Sequence, residues 1–236
     1  MNTRNALLAM IASLPIWLQA TPQPAVDWDG LQATFYSDDD GPWVLGFRFR
    51  ADVDLLVTSL GAFDYLGDGL ATAHQIGIWS VDGGSPLAVV TVSSGNDAPL
   101  VGAFRYGEIT GLPLSVNSEY IIGASDFYGQ ELDIYPWNPQ AFTTRPGITF
   151  LGARESDNQV VGLSFPDREY SPGSPLAANF QFEIIPEPSG ILLLGVGLSW
   201  VIAVKRRAKK MATPDGSTEC RDGVSVDNRP RLLRRW

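Results

Sequence analysis

Between Asp27 and Ile185 the apolar residues recur at every second position in short bursts, and no run of useful length repeats at the helical interval of three or four. In "VLGFRFRAD", Phe47 and Phe49 fall on one face and Arg48 and Arg50 on the other. That alternation belongs to an antiparallel strand with one side in a core and the other in water. The segments "LLVTSLGAF", "HQIGIWSV", "LAVVTVS", "VGAFRY", "EYIIGAS", "GITFLGA", "QVVGLSF" and "ANFQFEI" read the same way, and turn-formers separate them. Many short strands with frequent turns predict an all-β fold, an antiparallel β-sandwich or jelly roll, over residues 27–185. A hydrophobic-Gly-Ala tripeptide begins at Leu60, Val101, Ile122 and Leu151, but its intervals of 41, 21 and 29 residues exclude a repeat architecture. Glycine at these places marks a close backbone approach or a bulge.

The two ends of the chain carry continuous apolar runs instead. "MNTRNALLAMIASLPIWLQA" has one positive side chain, Arg4, ahead of a run from Ala6 to Leu18. A membrane-spanning helix needs about 20 apolar residues, so residues 1–20 read as a secretory signal peptide, with cleavage after Ala20 and Ala25 as the alternative. Toward the other end, residues 189–204 read as a single transmembrane helix. Its length of roughly 24 Å falls short of a ~30 Å hydrocarbon core, and Gly195 and Gly197 weaken it further. Lys205, Arg206, Arg207, Lys209 and Lys210 follow at once, and their long side chains can snorkel to extend the span. As a permanent anchor the segment is mediocre, and as a passing one it is adequate.

Charge gives these runs an orientation. The net charge is -9, yet from Asp27 to Ile185 there are 21 acidic residues against 6 arginines and no lysine, and from Lys205 to Trp236 there are 10 basic residues against 4 acidic ones. Basic residues flanking an apolar run stay in the cytoplasm, which puts the acidic body outside as an ectodomain. Residues 211–236 lack hydrophobic periodicity and read as a disordered cytoplasmic tail. A lysine-free acidic body repels phosphate backbones, so nucleic acid is excluded as its partner. The single cysteine, Cys220, lies outside the body and cannot form a disulfide within it.

The order Pro186-Glu187-Pro188, then Ser189, then the apolar run, then the basic cluster resembles the PEP-CTERM sorting signal of Gram-negative bacteria, over residues 186–210. The resemblance implies recognition by exosortase, a multispanning membrane cysteine transpeptidase that cuts near the motif. The protein would then pass from an inner-membrane intermediate to the cell surface or the extracellular space. A second resemblance covers about 65 residues of the body. Leu60, Gly61, Phe63 and Asp64, Asp68-Gly69-Leu70, His74, Gly77-Ile78-Trp79, Phe104-Arg105-Tyr106 and the run from Tyr120 to Ala124 are similar to a DUF4082-like β-sandwich domain of unknown function. It implies fold and location and brings no catalytic residues.

Little in the body points to a reaction. His74 is the only histidine, no G-x-S-x-G elbow is present, and zinc lacks a second histidine or a nearby cysteine. Calcium is the metal best suited to the acidic loops, with Asp38, Asp39 and Asp40 in "SDDDG" and Asp64 and Asp68 in "DYLGDG". Turns capped by aspartate side chains explain the same loops. Tyr128, Tyr135, Trp137 and Phe142 lie in a Gly/Pro/Asn-containing stretch, where planar rings either stack on sugars or cover the end of a sandwich core. The expectation is therefore a structural or adhesive protein of the cell surface or the extracellular polysaccharide, and no enzyme. The alternative is a carbohydrate-binding module, with or without calcium, and a weaker alternative is a secreted glycan hydrolase.

Overall fold

The alternating segments pair antiparallel throughout. The computed structural model describes residues 21–28, 35–36, 41–127, 133–139, 142–156, 161–170 and 175–186. In chain order the strands are β1 (Gln23–Pro24), β2 (Val26–Asp27), β3 (Phe35–Tyr36), β4 (Trp43–Ala51), β5 (Leu55–Phe63), β6 (His74–Ser80), β7 (Ala88–Val92) and β8 (Leu100–Val101). They continue with β9 (Phe104–Leu114), β10 (Glu119–Phe127), β11 (Tyr135–Pro136), β12 (Thr143–Thr144), β13 (Ile148–Glu155), β14 (Arg168–Glu169) and β15 (Ala178–Ile184). One sheet has the order β1-β15-β5-β9-β8 and a larger one β14-β13-β4-β10-β6-β7, with the small pairs β11-β3 and β12-β2 beside them.

Alternation decides which face each sheet buries. Phe47 and Phe49 of β4 point inward and are fully buried, while the alternating Arg48 and Arg50 stay part-exposed. From the facing sheet Phe180 meets Phe49 at a ring-centroid distance of 4.7 Å. Leu55, Val57 and Leu60 of β5 and Ile76 and Ile78 of β6 join the same apolar cluster. Both sheets thus bury their inner faces in one sandwich-like core, where each full side chain contributes about 1.5–3 kcal/mol.

Two segments depart from the expected strands. "VGAFRY" is the end of β8, a turn at Gly102 and Ala103, and the start of β9. "QVVGLSF" is unpaired over its described part, residues 161–165, because it covers the outer face of the larger sheet. Gly46, Gly123 and Gly77 lie in register across β4, β10 and β6 and leave a trough there. A Cβ at Gly77 would stand 2.9 Å from Leu163, and one at Gly123 would stand 3.1 Å from Pro166. Phe165 stands edge-on to Trp79 at 5.9 Å. The Asp126 carboxylate fixes the start of this cover by accepting the Gly162 N–H at 2.9 Å.

The glycine expectations fare well at two positions. The register of β13 against β4 shifts between Phe150 and Gly152, a bulge at which Gly152 adopts a φ of 138°. At Gly61 the Tyr106 ring lies 2.7 Å from where a Cβ would stand. Strand pairing also begins ahead of Asp27. Gln23 pairs with Phe182, and the buried Ala25 donates its N–H to the Phe180 carbonyl at 2.7 Å.

The chain divides into two units, Met1–Pro186 and Glu187–Trp236, and every described residue belongs to the first. Among the described residues the one helical element is the 3-10 turn Tyr65–Gly67, and no helix is long and apolar enough to cross a membrane. The expected signal peptide 1–20, the expected span 189–204 and the expected tail 211–236 lie outside the described residues.

Candidate functional site

The inward row of β4 does not end in apolar packing. Trp43 and Leu45 precede Phe47 on the same face, and Leu45 is in register with Glu155 of β13, which is in register with Arg168 of β14. A polar pair therefore extends the core row at the end of the sheet. Arg168 donates from Nη2 to Oε1 of Glu155, and the Glu155 side chain is 10% exposed against 44% for Arg168. Ser156 pins this corner, since its N–H donates to the Val44 carbonyl at 2.9 Å and its Oγ accepts the Val44 N–H at 3.2 Å.

Around the pair lies an open cavity of about 200 Å³, lined by Trp43, Tyr135, Trp137 and Tyr170 together with Leu45 and Pro175. Trp137 and Tyr170 meet edge to face, with centroids 4.6 Å apart and planes at 82°. Tyr135 is buried, whereas Trp137 and Tyr170 are half-exposed. Aromatic walls with one adjacent donor and acceptor suit a small ligand that has an apolar face and a polar edge.

The only histidine holds one of these walls in place. His74 is fully buried and stacks on Phe127 at 4.3 Å. Its Nδ1 donates to the Ser125 carbonyl at 2.6 Å, and its Nε2 lies 2.9 Å from Oδ2 of Asp133. Asp133 also accepts the N–H groups of Ala71 and Thr72, both at 3.0 Å. Burial alone would raise its carboxyl. The His74 hydrogen bond, the two backbone N–H groups and the charge of His74 outweigh burial and hold the carboxyl below the ordinary carboxylate range. Asp133 stands two residues before Tyr135 and four before Trp137, so this tie anchors the segment that carries both rings. His74 has no exposed surface and no nucleophilic hydroxyl on its ring nitrogens, which makes it a positioning residue.

The expected sites separate in space. Asp64 is no surface ligand: it is buried, and its Oδ2 accepts from Nε of Arg105 at 2.6 Å. The Gly69 N–H lies 3.2 Å from each of its oxygens. A guanidinium already supplies the positive charge that calcium would bring, and Asp68 points to solvent. Among the described residues no group of three or more His, Cys, Asp or Glu side chains could hold a metal ion. Asp38, Asp39, Asp40, Tyr128, Glu187, Pro188, Ser189 and the basic cluster lie outside the described residues, and Pro186 is the last residue described. Phe142 packs edge-on to Phe150 at 5.3 Å and covers the core. Tyr135 and Trp137 alone of the expected ligand residues come together in the cavity.

Trp43, Tyr170, Glu155 and Arg168 escaped the sequence reading. The charged pair is visible only once the register of β4, β13 and β14 is known. Glycoside hydrolysis takes two carboxylates flanking the bond, and among the described residues lining the cavity Glu155 is the one carboxylate. No family model matches the chain, and no curated protein matches it.

Proposed function

We propose that the chain is an exported β-sandwich protein of the cell surface or extracellular matrix, with an adhesive role exerted by holding saccharide in the aromatic cavity. A PEP-CTERM-type signal sorts it, with an exosortase-type transpeptidase as its membrane partner. No reaction belongs to this reading. The observation that carries it is the cavity itself, in which Tyr135 and Trp137 join Trp43, Tyr170 and the Glu155–Arg168 pair. Sugars present C–H faces that stack on aromatic rings and hydroxyls that pair with charged groups, and this lining offers both.

The route of export rests on the sequence, and the position of β1 favours one detail of it. Cleavage after Ala25 would remove Gln23 and Pro24 from their pairing with β15, so Ala20 is the cleavage residue in this reading. Extracellular polysaccharide is the proposed ligand source.

The test is an array of bacterial surface polysaccharides probed with the full chain and with its Trp137→Ala variant. The variant should bind about thirtyfold more weakly, the ~2 kcal/mol of an aromatic anchor, while its thermal midpoint stays close to that of the parent. Glycan binding that is indifferent to Trp137, or no glycan binding at all, sinks the reading.

A further inference from the structure

An open sandwich has edges, and one edge of this one differs from the rest. The outer strands of a sheet carry free N–H and C=O groups that can pair with another chain, and folded proteins blunt them with charge, proline, bulges or short length. β14 ends the larger sheet with two charged residues, Arg168 and Glu169. β1 and β8 end the smaller sheet with two residues each, and β1 includes Pro24. Where β13 runs on past β14 the bulge at Gly152 interrupts it, and where β9 runs on past β8 Pro113 offers no N–H. β7 has none of these protections. It reads "AVVTV", without charge, proline or bulge, and among the described residues it pairs on one side only, with β6.

Apolar surface gathers beside this edge. Val90 faces β9, since a Cβ at Gly107 would stand 2.7 Å from it, so β7 and β8 edge their sheets on the same flank. Leu87 and Val89 are exposed there, at 47% and 43%. Leu100 and Val101 of β8 are exposed as well. The turn that carries the exposed Leu66 meets them, because a Cβ at Gly67 would stand 2.8 Å from Leu100. Among the described residues ten large apolar side chains are exposed, and these are five of them. Such a concentration on one flank marks a contact surface.

Charge decides what covers it. From Gly83 to Asn96 fourteen residues carry no charge, whereas the body as a whole holds 21 acids against 6 arginines. Two copies of such a body repel wherever acids meet acids. They can touch along a strip that has none. A basic partner would be drawn to the acids instead. An antiparallel strand also complements its own copy, because a two-fold axis brings free N–H groups of one β7 to free C=O groups of the other. Pro86 has no N–H and ends the ladder at Leu87. Each copy uses up its own open edge, so the assembly closes at two.

We infer that two copies of this chain join through β7, edge to edge and antiparallel, so that the larger sheet of one body runs on into that of the other. The aromatic cavity lies at the opposite edge of the same sheet, beside β13 and β14. The joint leaves it free, and holds or fails apart from the function proposed above.

Sedimentation equilibrium of the full chain in a density-matched detergent tests it. The parent should sediment as a dimer with a micromolar dissociation constant. Raising salt from about 0.05 to about 0.5 M should tighten that dimer, because screening lifts the repulsion between acidic bodies. Val89→Lys or Leu87→Lys places like charges at the joint and should weaken it at least about tenfold. Both side chains are exposed, so each variant should keep the thermal midpoint of the parent. Leu151→Lys, at an exposed residue of β13, should leave the dimer unchanged. A monomeric parent, a dimer that both β7-flank variants leave intact, or one that loosens as salt rises overturns the joint. Growth beyond two copies overturns it as well, since a two-fold pairing leaves β7 no second edge.

Discussion

Asp133 does at residue scale what no pattern in the chain announces. Its carboxylate gathers the His74 imidazole and two backbone N–H groups. Because the carboxyl is held below its usual value in the fold, its stabilisation is fully present above the unfolded-state value near ~3.9. It is lost as pH falls through the lower, folded value. Asp133→Asn should therefore cost about 2 kcal/mol at neutral pH, and the gap between variant and parent should close in acid. Urea unfolding of both proteins at neutral pH and again well below the unfolded-state value measures it, and an equal gap at the two would refute the assignment. Since the same residue anchors Tyr135 and Trp137, saccharide binding should weaken in the variant as well. Tyr135 and Trp137 were legible as candidates because rings in a Pro- and Asn-bearing stretch have no strand periodicity to explain them. Glu155 was not, because an acid following an alternating strand looks like any solvated residue until its neighbour across the sheet is known.

Elements show where local pattern stops being sufficient. "HQIGIWSV" and "QVVGLSF" have similar alternation and composition. The first is a central strand between β7 and β10, and the second a cover over the trough of Gly46, Gly123 and Gly77. Periodicity reports which faces are apolar, and whether an edge finds a partner depends on residues far along the chain. The acidic turn "DYLGDG" has the same limit. Arg105, on β9, reaches from its strand into two loops: it donates to Asp64 and to the Gly67 carbonyl on one side, and to the carbonyls of Asn96 and Ala98 on the other. The turn reads as a calcium loop only while that arginine is unplaced. Removing one member of such a buried pair strands the other, so Arg105→Ala should destabilise by about 4 kcal/mol, and the double variant with Asp64→Ala should be little worse than Arg105→Ala alone. Thermal unfolding of the two singles and the double decides it. Losses below about 1 kcal/mol, the value of an exposed pair, would mean that the pair does not hold the loops.

For the whole molecule the governing feature is the split of charge along the chain, an acidic body followed by a basic terminal region. A field of that sign keeps the acidic body dispersed. Under the function proposed above, the aromatic cavity holds saccharide where an exported body can reach it, so the proposed adhesive role and the proposed sorting signal stand together. The body is folded from Gln23, whose pairing with Phe182 needs the segment left intact on export, to Ile185, whose N–H donates to the Asp54 carbonyl at 2.9 Å. Processing that respects both limits removes residues up to Ala20 and cuts at or beyond the Pro186-Glu187-Pro188 motif, which begins directly after Ile185. Mass spectrometry of the mature protein from its native host should accordingly find Thr21 at the amino terminus and a carboxy terminus near Ser189, with the apolar run and the basic cluster gone. A mature chain that keeps Lys205 to Lys210 would make the segment a lasting anchor. The cavity would then work within reach of the membrane, and the release step, with its transpeptidase, would fall.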